Sequence, residues 1–228
     1  MKVQAIVVAA GSGTRLKASV PKPLVLITGK PILVYTLEIF QKSALIEGVI
    51  LVVPSDYIVD FKQVVEQYPL DKVVKIVVGG AMRADSVCNG LGALDEDTDV
   101  VVIHDGARPL VDQVILEDAI RLGEKHEAIV VAVPVKPTIK RVDIKEMVVE
   151  ATIDRKMLWE IQTPQVFQKE VILAAHRQAD SREATDDAFL VEQMGQKVKV
   201  LQGDYRNIKI TTQEDLIVAE VLLYEKDQ

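Results

Sequence analysis

The chain has 228 residues, of which 49% are hydrophobic and 27% charged, and these are the proportions of an ordinary globular protein with a sizeable core. Its net charge of −7 and aromatic content of 4% argue against nucleic acid as a partner, because phosphate backbones demand basic surfaces and single strands demand stacking rings. One cysteine, Cys88, excludes an internal disulfide framework and predicts a cytoplasmic protein, and the short apolar start MKVQAIVVAA predicts no membrane partner.

Apolar runs rich in valine and isoleucine predict the strands of the fold. They cover residues 3–8, 49–53, 73–78, 100–104 and 129–133. Each run is too apolar to keep one face in water, which indicates buried parallel strands. Helical spacing of apolar residues follows at 31–43, 57–68, 85–94 and 113–125. This alternation predicts one α/β domain over residues 1–228, with a Rossmann-like, doubly wound and mostly parallel sheet that binds ligands at the carboxyl ends of its strands.

The pattern changes between residues 134 and 159, where short pieces alternate polar and apolar residues. Strands at 138–142 and 147–152 predict a β-hairpin that projects as an arm at about residues 135–158. A hairpin alone is barely stable in water, so a second subunit is the expected cover for the arm, which predicts a homodimer. Folding back onto its own domain is the alternative. The apolar side chains concerned are Ile139, Val142, Val148 and Val149.

The first loop combines glycine residues with positively charged side chains. It begins AAGSGTR at residue 9, and Gly11 and Gly13 let backbone N–H groups approach a ligand closely. Arg15 and Lys22 add positive charge, so the loop suits a polyphosphate. It is neither a Walker loop nor a dinucleotide fingerprint, because their glycine and lysine spacings are absent. A flexible turn with two surface cations is the structural alternative.

A second glycine loop, GGAMRADSVCNGL, follows the third apolar run. Gly79 and Gly80 lie where a strand's end meets a helix N-terminus with unpaired amides, a place that suits phosphate groups. Ser86 would face the same crevice. A plain strand-to-helix turn with a solvated Ser86 is the alternative.

The segment VVIHDGARPLV places an acidic side chain at a strand's carboxyl end. Asp105 is the candidate ligand for Mg²⁺ beside phosphates, and Arg108 follows within reach of an anion. His104 precedes Asp105 on the strand and points to the opposite face, which predicts a structural role. A local salt bridge between Asp105 and Arg108 is the alternative.

Polar residues also precede apolar elements in the last third of the chain. Thr185 and Thr212 each stand where a helix N-cap is expected, so capping is a sufficient role for both. Lys209 alternates with Ile208 and Ile210 and therefore faces away from whatever buries them. Both a solvated lysine and an active-site lysine are consistent with that pattern.

Taken in order, these blocks resemble the 2-C-methyl-D-erythritol 4-phosphate cytidylyltransferases of isoprenoid biosynthesis, within the wider sugar nucleotidyltransferases. The resemblance runs essentially from end to end and is carried by AAGSGTR, PK, GGAMRADSV, HDGARP, TIK, DR, QTPQVF, ATDDA and NIKIT. It implies transfer of CMP from CTP to the phosphate of methylerythritol phosphate, with release of pyrophosphate and use of Mg²⁺ or another divalent cation.

The resemblance also implies residue roles. Arg15 and Lys22 would stabilise charge at the α-phosphate, and Asp105 would hold the metal ion. Arg155 and Lys209 would position the sugar phosphate, with the arm reaching the neighbouring subunit's site. The nucleotide would be lined by Ala9, Ala10, Gly11, Gly13, Gly80 and Ser86, and the sugar phosphate by Arg108, Thr138, Thr163 and Thr185.

The chain departs from the family pattern in two places. Three other functions are alternatives to the one that the resemblance implies. Many members continue the PK pair with Gln and Tyr where Pro23 and Leu24 stand here, and Ala81 replaces an acidic residue found near the base in some members. The rivals are a ribitol 5-phosphate cytidylyltransferase, a sugar-1-phosphate uridylyltransferase, and a protein that binds CTP without turnover. Retention of the predicted cations argues against the last, because binding alone needs fewer of them.

Overall fold

A central sheet flanked by helices makes up the protein, whose computed structural model describes residues 1–11, 20–180 and 184–226. The strands are β1 (Val3–Val8), β2 (Leu26–Ile27), β3 (Lys30–Pro31), β4 (Gly48–Val53), β5 (Val73–Val78), β6 (Val100–Asp105), β7 (Ala128–Pro134), β8 (Ile139–Asp143), β9 (Val148–Ile153), β10 (Trp159–Gln168) and β11 (Lys199–Gln202). The α-helices are α1 (Ile32–Lys42), α2 (Ile58–Gln67), α3 (Arg83–Leu91), α4 (Gln113–Gly123), α5 (Lys169–Gln178), α6 (Asp187–Gln193) and α7 (Gln213–Lys226). Within the ranges described, no helix has both the length and the apolarity to cross a membrane.

The central sheet has seven strands in the order β11-β7-β10-β6-β1-β4-β5. Neighbouring strands are parallel except at β10, which runs antiparallel to both β6 and β7. From β1 the chain winds through β4 to β5 at one edge and then returns to place β6 on the other side of β1. That reversal opens a crevice at the carboxyl ends of β1 and β6, where doubly wound sheets bind ligands. The predicted fold class is confirmed.

Helices cover both faces of the sheet because most of its strands are apolar on both faces. Helices α1, α2 and α4 bury one face in a cluster with Val7, and α3, α5 and α6 bury the other in a cluster with Ile6. The prediction that residues 73–78 form a fully buried strand is wrong. They form β5 at the edge of the sheet, where Val74 and Val78 are exposed.

Side-chain caps set the starts of the last two helices. Thr212 caps α7 as predicted, and its hydroxyl accepts a hydrogen bond from the Asp215 N–H at 3.4 Å. Thr185 does not cap α6. The neighbouring Asp186 does so instead, because its carboxylate accepts from the Phe189 N–H at 3.0 Å. The capping role expected of Thr185 is therefore wrong.

The arm is a separate two-stranded antiparallel sheet of β8 and β9, close to the predicted bounds. At its root the Tyr205 hydroxyl donates to the Pro134 carbonyl at 2.7 Å. Ile144 at the tip is 85% exposed, and Val148 and Val149 are more than half exposed. Within the part of the chain that the structure describes, nothing folds back over these side chains, which contradicts the alternative of a cover from the arm's own domain.

Candidate active site

The loops after β1 and β5 and the end of β6 meet at one edge of the sheet. The Gly106 N–H donates to the Val8 carbonyl at 2.9 Å, and the Gly79 N–H donates to the Val53 carbonyl at 2.8 Å, which ties neighbouring strand ends together. A cavity of about 370 Å³ opens there. Of the predicted site residues it is lined by Ala9, Ala10, Gly11, Lys22, Gly80, Ser86, Asp105 and Lys209. The predicted residues Gly13 and Arg15 lie outside the described residues.

The loop after β5 has no room for side chains at its two glycines. A Cβ at Gly79 or Gly80 would lie 2.4 Å or 2.2 Å, respectively, from another residue's Cβ. Ser86 Oγ accepts from the Gly80 N–H and donates to the Met82 carbonyl, both at 3.1 Å. Asp85 accepts from the Met82 N–H at 2.9 Å, which starts α3 earlier than predicted. Ser86 therefore holds the shape of the loop and is not the solvated residue of the alternative.

A second cavity of about 230 Å³ adjoins the first. The predicted sugar-phosphate residues Arg108, Thr163 and Thr185 line it. The register of β10 shifts between Ile161 and Gln165, and such an irregularity re-aims side chains at a sheet's end. Both cavities share the side chains of Arg83, Asp105 and Lys209. The two cavities thus meet at one charged cluster.

Asp105 lies at the centre of that cluster among three cations. Its Oδ2 is 2.8 Å from Lys209 Nζ and 3.5 Å from Arg108 Nε. Its Oδ1 is 3.6 Å from Arg83 Nε. Burial raises the pKa of this carboxyl, but Lys209, Arg83 and Arg108 outweigh burial and hold the pKa well below its usual range. Asp105 is therefore ionised at neutral pH, and the expected Asp105–Arg108 pair is one part of a larger positive cluster suited to anions.

Lys209 is directed at Asp105 by its neighbours. Ile210 is fully buried, and its N–H donates to the Ala107 carbonyl at 2.9 Å. This fixes the backbone so that the alternating Lys209 side chain points into the crevice, where it remains 39% exposed. Lys209 therefore lines both cavities, and an active-site role for it stays a prediction.

His104 is fully buried behind Asp105, and its ring lies 5.2 Å from that of Phe40. Thr163 Oγ1 accepts from the Asp105 N–H at 3.1 Å and so directs its own proton to His104 Nδ1, 3.0 Å away. The proton of a neutral imidazole then lies on Nε2 and is donated to the Arg108 carbonyl at 3.2 Å. Burial lowers the pKa of His104 from 6.5 to about 4, so the ring is neutral and structural, as predicted.

Arg83 and Asp187 belong to this site but were not assigned from the sequence. Arg83 Nη1 donates to Asp187 Oδ2 at 2.7 Å, and the buried Asp187 also contacts His176 Nε2 at 3.2 Å. Burial lowers the pKa of Arg83, but Asp187 and Asp105 more than offset burial and raise it above its usual value. The sequence signal was the position of Arg83 inside GGAMRADSV, and local patterns do not pair residues 104 positions apart.

Lys22 keeps its place on the first cavity despite the departure at Pro23. It begins a short 3₁₀ turn, Lys22–Leu24, in which the Val25 N–H donates to the Lys22 carbonyl at 3.1 Å. Pro23 fits because the first residues of a helical turn need no N–H donor. The unusual proline therefore shapes this turn without removing the lysine from the cavity.

Thr138 and Arg155 lie near the base of the arm and line neither cavity of their own chain. Both are exposed, and the Arg155 guanidinium donates to the Lys136 carbonyl. These two predicted residues are therefore separated from the other predicted residues in the single chain.

Asp105 is the one predicted metal ligand, and its two oxygens already face Lys209, Arg108 and Arg83. Over residues 1–11, 20–180 and 184–226, no three His, Cys, Asp or Glu side chains cluster as metal ligands. Mg²⁺ commonly takes one or two carboxylates and completes its shell with water and substrate phosphates. Asp105 offers such a carboxylate on the wall of the glycine-lined cavity.

A doubly wound sheet with a glycine-lined cavity beside a cationic one has the layout that an α/β nucleotidyltransferase needs, with room for a nucleotide next to a second anionic ligand. Residues 3–225 match the family model described as "IspD: 2-C-methyl-D-erythritol 4-phosphate cytidylyltransferase". The chain belongs to this family.

Individual relatives are similar over nearly their whole length. The 2-C-methyl-D-erythritol 4-phosphate cytidylyltransferase of Caldanaerobacter subterraneus subsp. tengcongensis is 47% identical over 226 residues, covering 98% of this chain and 99% of the relative. The protein of the same name from Geobacter metallireducens is 46% identical over 232 residues, covering 99% of each. Among solved structures, the 4-diphosphocytidyl-2C-methyl-D-erythritol synthase of Anaerococcus prevotii superposes with a TM-score of 0.86 at 36% identity, covering 98% of this chain and 96% of that one.

Proposed function

We propose that the protein transfers CMP from CTP to the phosphate of 2-C-methyl-D-erythritol 4-phosphate and releases pyrophosphate, as a step of isoprenoid biosynthesis. The family match over residues 3–225 carries this proposal. Two adjoining cavities with a shared charged wall support it, because a transferase accelerates its reaction by holding donor and acceptor side by side in the right geometry.

The acceptor supplies its own nucleophile in this reaction. A phosphate monoester has a second pKa near 6, so at neutral pH its oxygens are mostly ionised and need no general base. One of them forms a bond to the α-phosphorus of CTP while the bond from that phosphorus to pyrophosphate breaks. What remains for the protein is to hold two anions in line and to neutralise the charge between them. The cluster of Lys209, Arg83 and Arg108 around Asp105 supports that role.

Individual cations take separate parts in the proposal. Lys22 lines the first cavity, called the nucleotide cavity from here on, and would stabilise charge developing at the α-phosphate together with Arg15. Lys209 lines both this cavity and the second one, called the acceptor cavity from here on, and would orient the acceptor phosphate. Removing one such stabiliser typically lowers kcat by about 10²- to 10³-fold.

Asp105 would hold Mg²⁺ or another divalent cation. The metal ion, when bound, supplies charge neutralisation at the phosphates of CTP. The contribution of the chain is to keep the Asp105 carboxylate ionised and fixed, through Lys209 on Oδ2 and Arg83 beyond Oδ1.

A cytoplasmic homodimer is the proposed assembly. The exposed apolar side chains of the arm support it, since Ile144, Val148 and Val149 leave apolar area on the arm that a second copy would cover. Pairing through the arms would carry Thr138 and Arg155 of each chain toward the acceptor cavity of the other, which accounts for their distance from the cavities of their own chain. The cytoplasmic location rests on the single cysteine of the sequence.

Pyrophosphate release tests the substrate assignment. Purified protein, CTP and Mg²⁺ are incubated with methylerythritol 4-phosphate, with ribitol 5-phosphate or with no acceptor, and UTP replaces CTP in a parallel series. Release with CTP and methylerythritol phosphate alone is the expected result. Release only with ribitol phosphate would keep the nucleotide chemistry and overturn the pathway, whereas CTP binding in a calorimeter without release from any acceptor would favour a binding protein.

A further inference from the structure

Arg83 stands between the two cavities with a carboxylate on each side. It is the first residue of α3 and directly follows the loop that lines the nucleotide cavity. Its Nε lies 3.6 Å from Asp105 Oδ1, and its Nη1 lies 2.7 Å from Asp187 Oδ2. The planar guanidinium can pair with both carboxylates at once because its N–H donors point in several fixed directions.

Asp187 is placed to hold Arg83 and not to meet a substrate. It is 1% exposed and lines neither cavity. His176 Nε2 lies 3.2 Å from its Oδ1, and the Asp187 N–H donates to Gln165 Oε1 at 3.2 Å. A buried carboxylate is costly unless its charge is compensated, and Arg83 compensates it. The partners of Asp187 therefore fix the guanidinium against the start of α6.

We infer that Arg83 is a positioning residue, which Asp187 holds at the junction of the cavities so that it sets the place of Asp105 and joins the nucleotide loop to the acceptor cavity. The inference rests on the proposed function. Helix α6 begins directly after Thr185 and Asp186, which line the acceptor cavity, and α3 directly follows the nucleotide loop. One guanidinium thus ties the donor side to the acceptor side. A misplacement of about 1 Å between reacting groups can lower a rate about a hundredfold, so a looser tie lowers kcat.

Steady-state pyrophosphate release from CTP and methylerythritol phosphate tests this role in wild type, Arg83→Met, Arg83→Lys and Asp187→Asn. Arg83→Met and Asp187→Asn are expected to lower kcat by about ten- to a hundredfold and to change the KM for CTP by less than about threefold. Arg83→Lys keeps the charge without the planar fork, so we expect it to retain wild-type thermal stability but not wild-type kcat. The double variant Arg83→Met with Asp187→Asn is expected to be no slower than Arg83→Met alone, because the two residues act as one unit.

Arg121→Met is the matched control. Arg121 also pairs with two carboxylates, those of Glu117 and Asp118, but it lies on α4 and lines neither cavity. The kcat of the Arg121→Met variant should equal that of wild type. Wild-type kcat per folded enzyme in Arg83→Met, or full rescue by Arg83→Lys, would overturn the positioning role and leave the proposed function standing. A wild-type protein without turnover on any acceptor would overturn the proposed function and this inference with it.

Discussion

Mild acid should destabilise the protein through His104. The fold lowers the pKa of this buried ring from 6.5 to about 4, so the unfolded chain takes up a proton in a pH range where the folded protein does not. Because the folded-state pKa is the lower one, the contribution of the neutral His104 ring to the free energy of unfolding is fully present above about pH 6.5. It is lost as the pH falls toward 4. The difference between the two pKa values corresponds to about 3 kcal/mol, of which about 2 kcal/mol is lost by pH 5.

Urea unfolding at pH 8 and pH 5 measures this loss in wild type and in His104→Gln. Glutamine keeps a neutral hydrogen-bonding group beside Thr163 but does not titrate. The wild-type free energy of unfolding should fall by about 2 kcal/mol more than that of the variant between the two pH values, since all other titrating groups are common to both. Any difference in stability between the two proteins at pH 8 cancels, because each protein is compared with itself at the two pH values. Equal losses in the two proteins would refute the conclusion that burial keeps His104 neutral.

Three further predictions concern the cations, the glycine loop and the arm. Lys22→Ala and Lys209→Ala should each lower the kcat of pyrophosphate release by about a hundredfold, and near-normal turnover would remove that residue from the mechanism. Gly79→Ala would place a Cβ 2.4 Å from another, so it should cost about 1–3 kcal/mol of stability and weaken CTP binding in calorimetry. Gly92→Ala, whose nearest neighbours are at 3.6 Å, is its control and should leave both unchanged. Ile144→Asp at the arm tip should shift a dimer toward monomer in sedimentation velocity, and an unaltered dimer would contradict pairing through this surface.

The sheet and its helices could be predicted wherever local periodicity was strong. Strands β1, β4, β6 and β7 match the apolar runs, because burial on both faces leaves an unbroken signal in the sequence. Strands β10 and β11 were not predicted as members of the sheet. The polar stretch from Gln162 to Gln165 interrupts the apolar pattern of β10, where the pairing register also shifts, and β11 has only four residues, most of them exposed.

Some residues of the candidate site could be predicted from the sequence and others could not. Residues carried by loop motifs at strand ends, such as Gly80, Asp105 and Lys209, could be predicted because strand order alone brings them to one edge of the sheet. The partnership of Arg83 with Asp187 could not, since it depends on how α3 and α6 pack against the sheet. In the sequence, nothing distinguishes Arg83 from a surface arginine or Asp187 from an exposed aspartate at a helix start, although Asp187 is buried against Arg83.

The fate of oxygen-18 placed in the acceptor's phosphate tests the central claim most directly, namely that an oxygen of this phosphate forms the new bond to the α-phosphorus of CTP. Methylerythritol phosphate labelled at its non-bridging oxygens is incubated with CTP, Mg²⁺ and the enzyme, and the isotopic composition of both products is measured by mass spectrometry. The proposed mechanism predicts a diphosphate product that retains every labelled oxygen and a pyrophosphate that contains none. Loss of a labelled oxygen from the product, or its appearance in pyrophosphate, would contradict it.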